Sequence, residues 1–163
     1  MKIIFLDVDG VLNVCTQQRD VFGSLFHQQF MDNLKKVIDE TNAKIVISSS
    51  WRHSGLKVMQ EMWKERNLAG EVIDVTANHP SNYKETINLG FHERLERGFE
   101  IQDWLDKHND VDRFVIIDDD DDFLESQLYA FVHTCDNWEH TDHVEGFGLT
   151  IECAEKVIKI LNK

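Results

Sequence analysis

The sequence has 163 residues, and its 30 acidic side chains against 17 basic ones give a formal net charge of −13 at pH 7. This length predicts one domain, and a hydrophobic content of 42% predicts a globular chain. The charge excludes a protein that binds nucleic acid through a broad Lys and Arg surface, but it is compatible with a small basic site.

The sequence also indicates a cellular compartment. No apolar run approaches the roughly 18 residues that a membrane-spanning helix needs. The start of the chain turns acidic after a short apolar stretch and does not resemble a signal peptide. Three cysteines, Cys15, Cys135 and Cys153, are an odd and sparse set that does not fit a disulfide framework. We therefore expect a cytoplasmic protein without membrane contact.

Apolar runs alternate with helical periodicity along the whole chain. Residues 2–7 predict a buried strand, a helix begins near His27, and residues 43–48 predict a second strand. A second helix is predicted from Leu56 to before Gly70. The second half predicts, in order, a strand at 71–75, an irregular segment at 76–97, a helix around Ile101 and Trp104, strands at 113–118 and 129–134, and a helix that opens at Thr150.

This alternation predicts an α/β fold, a three-layer Rossmann-like parallel sheet of about five strands with helices on both faces. Ligands bind at the carboxyl ends of the strands in such sheets. The polar residues that follow each strand are therefore the candidate functional residues.

Two acidic residues, Asp7 and Asp9, follow the first strand in the motif "DVDG". Residues two apart on an extended chain point to the same side, and Gly10 permits a sharp exit from the strand. The pair fits either a structural turn or a functional site. The motif lacks the glutamate that ends an EF-hand calcium loop, which disfavours that interpretation.

Hydroxyls and a cation follow the second strand in "SSSWR", residues 48–52. Ser and Arg side chains can bind phosphoryl oxygens, but a serine here can equally cap the next helix. Both roles are compatible with one another.

Five consecutive aspartates, Asp118 to Asp122, follow the fourth strand in "VIIDDDDDF". Two charges 4 Å apart repel by about 4 kcal/mol at an effective dielectric constant of about 20. The run therefore predicts either a solvated acidic turn or a cation site. Mg²⁺ is the cation that prefers such hard carboxylate oxygens together with phosphate.

In this order, the motifs resemble those of the haloacid dehalogenase (HAD) superfamily of phosphohydrolases. "FLDVDGVLN" is similar to the first motif, which implies Asp7 as nucleophile and Asp9 as general acid and base. "IVISSSW" is similar to the second, which implies Ser49, or alternatively Ser50, as the phosphate-binding hydroxyl. Arg52, which follows them in "SSSWR", is a further candidate phosphate ligand from its guanidinium alone.

The third and fourth motifs complete the resemblance. "RGFEIQDWL" places Arg97 where the superfamily usually has lysine, and Lys84 is the alternative for that role. "VIIDDDDDF" implies Asp118 and Asp119 as metal ligands and Asp122 as an outer partner.

The resemblance implies a chemistry as well as a fold. Asp7 would attack phosphorus to form an aspartyl-phosphate, and Asp9 would protonate the leaving oxygen and then activate water. Ser49 and Arg97 would hold the phosphoryl oxygens. The implied Mg²⁺ ligands are Asp7, Asp118, Asp119 and the backbone carbonyl of Asp9.

The stretches near 10–26 and 76–97 are short, so residues 1–163 are expected to form one HAD-like domain with a minimal cap and an open site. An open site suits a phosphate on a bulky substrate, such as a polynucleotide end or a protein. The phosphate of a nucleotide is a further candidate substrate. The chain is similar to small bacterial and phage members and to the phosphatase modules of RNA-repair proteins. A local basic rim is predicted from Arg52, His53, Lys57, Arg94 and Arg97.

Other interpretations stay open. A receiver-type signalling domain also places acidic residues and a hydroxyl at strand ends, but its final lysine is missing after residues 129–134. A non-enzymatic HAD-like module that binds a phosphorylated partner is a further alternative. Trp51 could stack on a base, although a core position is the preferred interpretation. A transition-metal site or a solvated loop could explain His133, Cys135, His140 and His143.

Overall fold

Strands and helices alternate through the residues that the computed structural model describes, which are 1–14, 18–77, 96–136 and 144–163. The strands are β1 (Lys2–Leu6), β2 (Arg19–Asp20), β3 (Gly23–Ser24), β4 (Lys44–Ile47), β5 (Val72–Val75), β6 (Arg113–Asp118) and β7 (Phe131–His133). The α-helices are α1 (Gln28–Thr41), α2 (Leu56–Glu65), α3 (Glu96–Lys107) and α4 (Ile151–Leu161), and 3₁₀ helices cover Ser50–Ser54 and Glu125–Ala130.

Five of the strands form one parallel sheet in the order β5-β4-β1-β6-β7. In the register of the central strands, Leu6 lies between Ile47 and Ile117. The next residues continue that pairing, because the backbone N–H of Asp7 donates to the Ile117 carbonyl at 3.0 Å. The carboxyl ends of β4, β1 and β6 therefore meet at one edge, as the sequence predicts.

Each face of the sheet is covered by helices. Ile4 and Leu6 point into a core that α1, α2 and α4 complete. Ile3 and Phe5 point the other way, toward α3. This alternation explains why the strands are apolar throughout: both faces of a parallel sheet are buried. The predicted α/β fold with helices on both faces is confirmed.

One strand boundary differs from its prediction by more than one residue. The fifth predicted strand begins at residue 129, but residues 129 and 130 belong to the 3₁₀ helix, and β7 begins at Phe131. Tyr129 is 71% exposed, and the pairing of β7 with β6 begins only at Phe131, opposite Ile116. Apolar composition alone does not distinguish a short 3₁₀ turn from the start of a strand.

The structure describes only part of the two insertions that were predicted near 10–26 and 76–97. Between β1 and α1, the described residues form a tight turn at Gly10–Asn13 and the two-stranded hairpin of β2 and β3. Residues 78–95, which hold Lys84 and Arg94, lie outside the described residues. The prediction of one domain with a minimal cap therefore stays a prediction.

Two predictions concern the compartment. None of the helices in the described ranges combines the length and the apolar character that crossing a bilayer requires. Cys135 and Cys153 are free thiols, the first exposed and the second buried. The cytoplasmic location stays a prediction.

Replacing Asn33 by Ala should lower the free energy of unfolding by about 1–3 kcal/mol, because it leaves a buried carbonyl unpaired. Asn33 is buried on α1, and its Nδ2 donates to the Leu149 carbonyl at 2.8 Å. Urea denaturation measures the change. The matched control is Asn162→Ala, which removes two exposed hydrogen bonds, one to the Glu40 carbonyl and one from Lys2, and should change stability by less than about 0.5 kcal/mol. Equal losses would contradict the prediction.

Candidate active site

Three carboxylates converge at the carboxyl ends of the two central strands. Asp7 follows β1, Asp118 ends β6, and Asp119 comes next. One ligand oxygen from each lies within 4.8 Å of the others. Asp7 and Asp118 are buried, and Asp119 is half-buried. Within the described ranges, this is the group that could hold a metal ion.

Arg97 supplies the positive charge that faces these carboxylates. Its Nη1 lies 3.1 Å from Asp7 Oδ1 and 2.6 Å from Asp118 Oδ2. Asp122 holds the backbone at this point: its Oδ2 accepts from the Arg97 N–H at 3.4 Å, and its carbonyl accepts from Gly98 at 3.1 Å. Asp122 therefore fixes the start of α3, which carries Arg97 into the site.

The electrostatics of the cluster show a deficit of positive charge. Burial, followed by the nearby charge of Asp7, raises the pKa of Asp118 to about 8 and that of Asp119 to about 7. Burial also raises the pKa of Asp7, although Arg97 and a hydrogen bond from Ser49 oppose it. Burial alone would lower the pKa of Arg97, but Asp118 and Asp7 raise it well above its usual value. One guanidinium does not balance three carboxylates, so the donor set fits a divalent cation.

Asp9 lies apart from this cluster, on the exposed side of the turn after β1. Its Oδ1 accepts from Asn13 Nδ2 at 2.8 Å, and its Oδ2 accepts from Trp51 Nε1 at 2.9 Å. The side chain is thus held in one orientation by two donors. The sequence suggests Asp9 as an acid and base, and it gives no sign of the contact with Trp51.

Of the residues predicted to bind phosphate after β4, one contacts Asp7, one is exposed, and one forms an ion pair outside the carboxylate cluster. Ser49 is 1% exposed, caps the 3₁₀ helix by accepting from the Trp51 N–H at 3.4 Å, and donates a hydrogen bond to Asp7. Ser50 is exposed. Arg52 is bound elsewhere, with Nη2 2.6 Å from the buried Glu100 and Nη1 donating to the Ser48 carbonyl at 2.9 Å.

Among Ser49, Ser50 and Arg52, Ser49 thus has the contact with Asp7. The ion pair of Arg52 with Glu100 joins the 3₁₀ helix to α3, and it gives Arg52 a structural role that the sequence does not reveal. Phosphate binding by Ser50 or Arg52 stays a prediction that the geometry does not favour. In the predicted basic rim, His53 and Lys57 are exposed.

A family model described as the HAD domain in Swiss Army Knife RNA repair proteins matches residues 3–147. The chain belongs to this family of HAD domains. The match includes all four motifs of the sequence, and it confirms the predicted superfamily. A solved HAD superfamily (subfamily III A) hydrolase from Legionella pneumophila is 15% identical, with a TM-score of 0.40 over 99% of this chain and 84% of that one. That score is too low to add to the assignment. No curated protein matches the sequence.

In this HAD domain, the loops after β1 and β6 are packed against each other. Gly10 has a φ of +68°, and a Cβ there would lie 2.7 Å from Asp119 Cβ and overlap its carboxylate. The Thr134 hydroxyl donates to the Gly10 carbonyl at 2.9 Å, and His133 Nε2 lies 2.8 Å from the Asp119 carbonyl. These contacts set the position of Asp119. Thr134 and Glu100 are contact residues that sequence reasoning missed, because no local motif marks them.

The contact of His133 bears on the predicted His and Cys cluster. His133 and Cys135 are exposed, whereas His140 and His143 lie outside the described residues. A metal site at these four residues stays a prediction.

Replacing Gly10 by Ala should destabilise the domain and displace Asp119. We expect a loss of about 1–2 kcal/mol from the left-handed backbone and about 1–3 kcal/mol more from the overlap with Asp119. Gly146→Ala is the matched control, because Gly146 also has a positive φ, +85°, but has nothing within 4 Å of its added Cβ. Urea denaturation of both variants measures the difference. If the two substitutions cost the same, the contact with Asp119 is unimportant.

The stability of the metal-free domain should fall as pH rises. Asp118 binds its proton more tightly in the folded state, since its pKa is about 8 there against an ordinary 3.8. The free energy of unfolding should therefore decrease between pH 4 and pH 8, by at least about 1 kcal/mol. Urea denaturation in EDTA at a series of pH values measures this slope. The slope should shrink in Asp118→Asn, and Mg²⁺ should stabilise the wild type more at pH 8 than at pH 5. A flat profile in the wild type would contradict the prediction.

Proposed function

We propose that this HAD domain is a Mg²⁺-dependent phosphomonoesterase that acts through an aspartyl-phosphate on Asp7. The observation that carries the proposal is the convergence of Asp7, Asp118 and Asp119 within 4.8 Å, with Arg97 bonded to two of them. Membership in the HAD superfamily of hydrolases supports it.

In the first step, a carboxylate oxygen of Asp7 attacks phosphorus, and the bond from phosphorus to the leaving oxygen breaks. Asp9 gives its proton to that leaving oxygen. Ser49 and Arg97 hold the phosphoryl oxygens. Arg97 can do so while bonded to Asp7 and Asp118, because a guanidinium carries five N–H donors.

In the second step, water attacks the phosphorus of the aspartyl-phosphate. Asp9, now a carboxylate, takes a proton from that water. The bond between phosphorus and the Asp7 oxygen breaks, which releases inorganic phosphate and restores Asp7. Asp9 keeps the proton and is ready for the next cycle.

The metal ligands in this proposal are the side chains of Asp7, Asp118 and Asp119 and the backbone carbonyl of Asp9. When bound, Mg²⁺ supplies charge neutralisation between these carboxylates and the phosphoryl group. Asp122 is proposed to support the site through Arg97 and not as a metal ligand, because its contacts are with the start of α3.

We propose that the substrate is a phosphate at the end of a polynucleotide, with RNA ends favoured over nucleotides. The family is described by its occurrence in RNA repair proteins. A net charge of −13 opposes broad contact with a nucleic-acid backbone, but it does not oppose entry of one terminal phosphate beside Arg97. The exposed position of Asp9 leaves its carboxyl accessible to a bulky leaving group.

The wild type should release phosphate in Mg²⁺ and lose this activity in EDTA, and Asp7→Asn should be inactive because it removes the nucleophile. The assay compares RNA and DNA oligonucleotides with 3′- or 5′-phosphate, nucleotides and p-nitrophenyl phosphate. Phosphate release by Asp7→Asn, or release in EDTA, would overturn the mechanism. Preference for free nucleotides would overturn the proposed substrate class alone.

A matched pair within the aspartate run gives the control. Asp119→Asn should abolish Mg²⁺-dependent turnover, whereas Asp121→Asn makes the same chemical change at an exposed position and should leave turnover within about twofold. Equal effects of the two substitutions would mean that the run acts only through its overall charge.

A further inference from the structure

Trp51 is placed so that it controls the orientation of Asp9. The indole Nε1 donates to Asp9 Oδ2 at 2.9 Å, and Asn13 Nδ2 donates to Oδ1 at 2.8 Å. Without partners, an exposed aspartate samples several staggered rotamers. Here each carboxyl oxygen has one donor, and the two donors come from different segments of the chain. The carboxyl plane is therefore fixed.

The indole ring is itself held on several sides. The Phe26 ring lies 5.7 Å away, and the Arg66 guanidinium lies 5.6 Å from the Trp51 ring. Gly23 packs so closely that a Cβ there would lie 2.9 Å from the ring. These contacts fix the plane of the ring and therefore the direction in which its N–H points.

The hairpin of β2 and β3 completes this arrangement. Asp20 accepts two hydrogen bonds from Arg66, 2.7 Å from Nη2 and 3.0 Å from Nε. Arg66 also lies 4.3 Å from the Phe26 ring centre. The hairpin, Arg66 and Phe26 thus form a rigid support for Trp51.

We propose that Trp51 is a positioning residue that holds the Asp9 carboxyl toward the leaving oxygen of the substrate. This inference rests on the proposed phosphatase function. The indole N–H of Trp51 is a hydrogen-bond donor only, so Trp51 cannot take the proton from the Asp9 carboxyl. A carboxyl oxygen that accepts one hydrogen bond keeps a second lone pair. The proton on Asp9 thus passes to the leaving oxygen as the bond to phosphorus breaks, while the hydrogen bond from Trp51 stays in place.

The leaving group makes this role measurable. An alkoxide needs a proton from the general acid when it departs, whereas p-nitrophenolate is stable enough to leave without one. A defect in the orientation of Asp9 should therefore slow the release of an alkyl group much more than the release of p-nitrophenolate. A general disturbance of the fold would slow both alike.

The test is Trp51→Phe, which keeps an aromatic ring and removes the N–H. Single-turnover reactions with excess enzyme and Mg²⁺ measure leaving-group release from an alkyl phosphomonoester and from p-nitrophenyl phosphate. Because general acid catalysis contributes about 10²–10⁴-fold, we expect alkyl release to slow by about tenfold or more and aryl release by less than about twofold. Substrate affinity should not change.

Two further variants separate positioning from structure. Asp9→Ala combined with Trp51→Phe should release the alkyl group no more slowly than Asp9→Ala alone, because Trp51 acts through Asp9. Trp104→Phe is the matched control: Trp104 Nε1 also donates to a carboxylate, Asp74 Oδ2 at 2.7 Å, and its loss should not alter the ratio of alkyl to aryl rates. Asn13→Ala, which removes the other donor to Asp9, should reproduce the selective loss. If Trp51→Phe does not fold, equal slowing of alkyl and aryl release in Asn13→Ala would overturn the inference that the donors to Asp9 position its carboxyl.

Several results would overturn the inference. These are equal slowing of alkyl and aryl release, faster alkyl release, or additive losses in the double variant. In each case the wild type still turns over, so the proposed function survives. A wild type that releases neither leaving group, and no phosphate from the phosphorylated oligonucleotides, would overturn the proposed function and this inference together.

Discussion

Mutual repulsion of the carboxylates at one end of the sheet is the constraint on which the rest of the site depends. The parallel register of β1 and β6 forces Asp7 and Asp118 together, and burial removes the water that would otherwise screen them. Arg97 offsets part of this repulsion at close range. Asp122 holds the start of α3 in the position from which this guanidinium reaches the ends of both strands.

Such a cluster of buried carboxylates destabilises the fold, but it is well suited to bind a cation. A buried charge with insufficient opposite charge destabilises a fold, and apolar residues at the same positions would pack at lower cost. The raised pKa values of Asp118 and Asp119 express this penalty in the absence of metal. A cation that bound only the folded state would recover that free energy and stabilise the domain.

The fold could be predicted from sequence because its signals are local. Strands buried on both faces are apolar throughout, and helices show one apolar side, so the order of elements follows from composition along the chain. The carboxylate cluster could also be predicted, since strand ends meet at one edge and the motifs lie at those ends. The partner of Arg52 could not, because Glu100 is distant in sequence and only tertiary packing brings the two together. The hydrogen bond from Trp51 to Asp9 is hidden for the same reason.

The hairpin of β2 and β3 has a different tolerance to change at its tip than at its base. Val21 at the tip is 92% exposed, whereas Gly23 touches the Trp51 ring and Asp20 is bonded to Arg66. Chain insertions at residue 21 would therefore add to the surface without moving Asp9, the proposed general acid. Changes two residues later would reach it. The tip of the hairpin is thus a position where extra recognition elements can be added, by evolution or by design, while the positions of Trp51 and Asp9 stay unchanged.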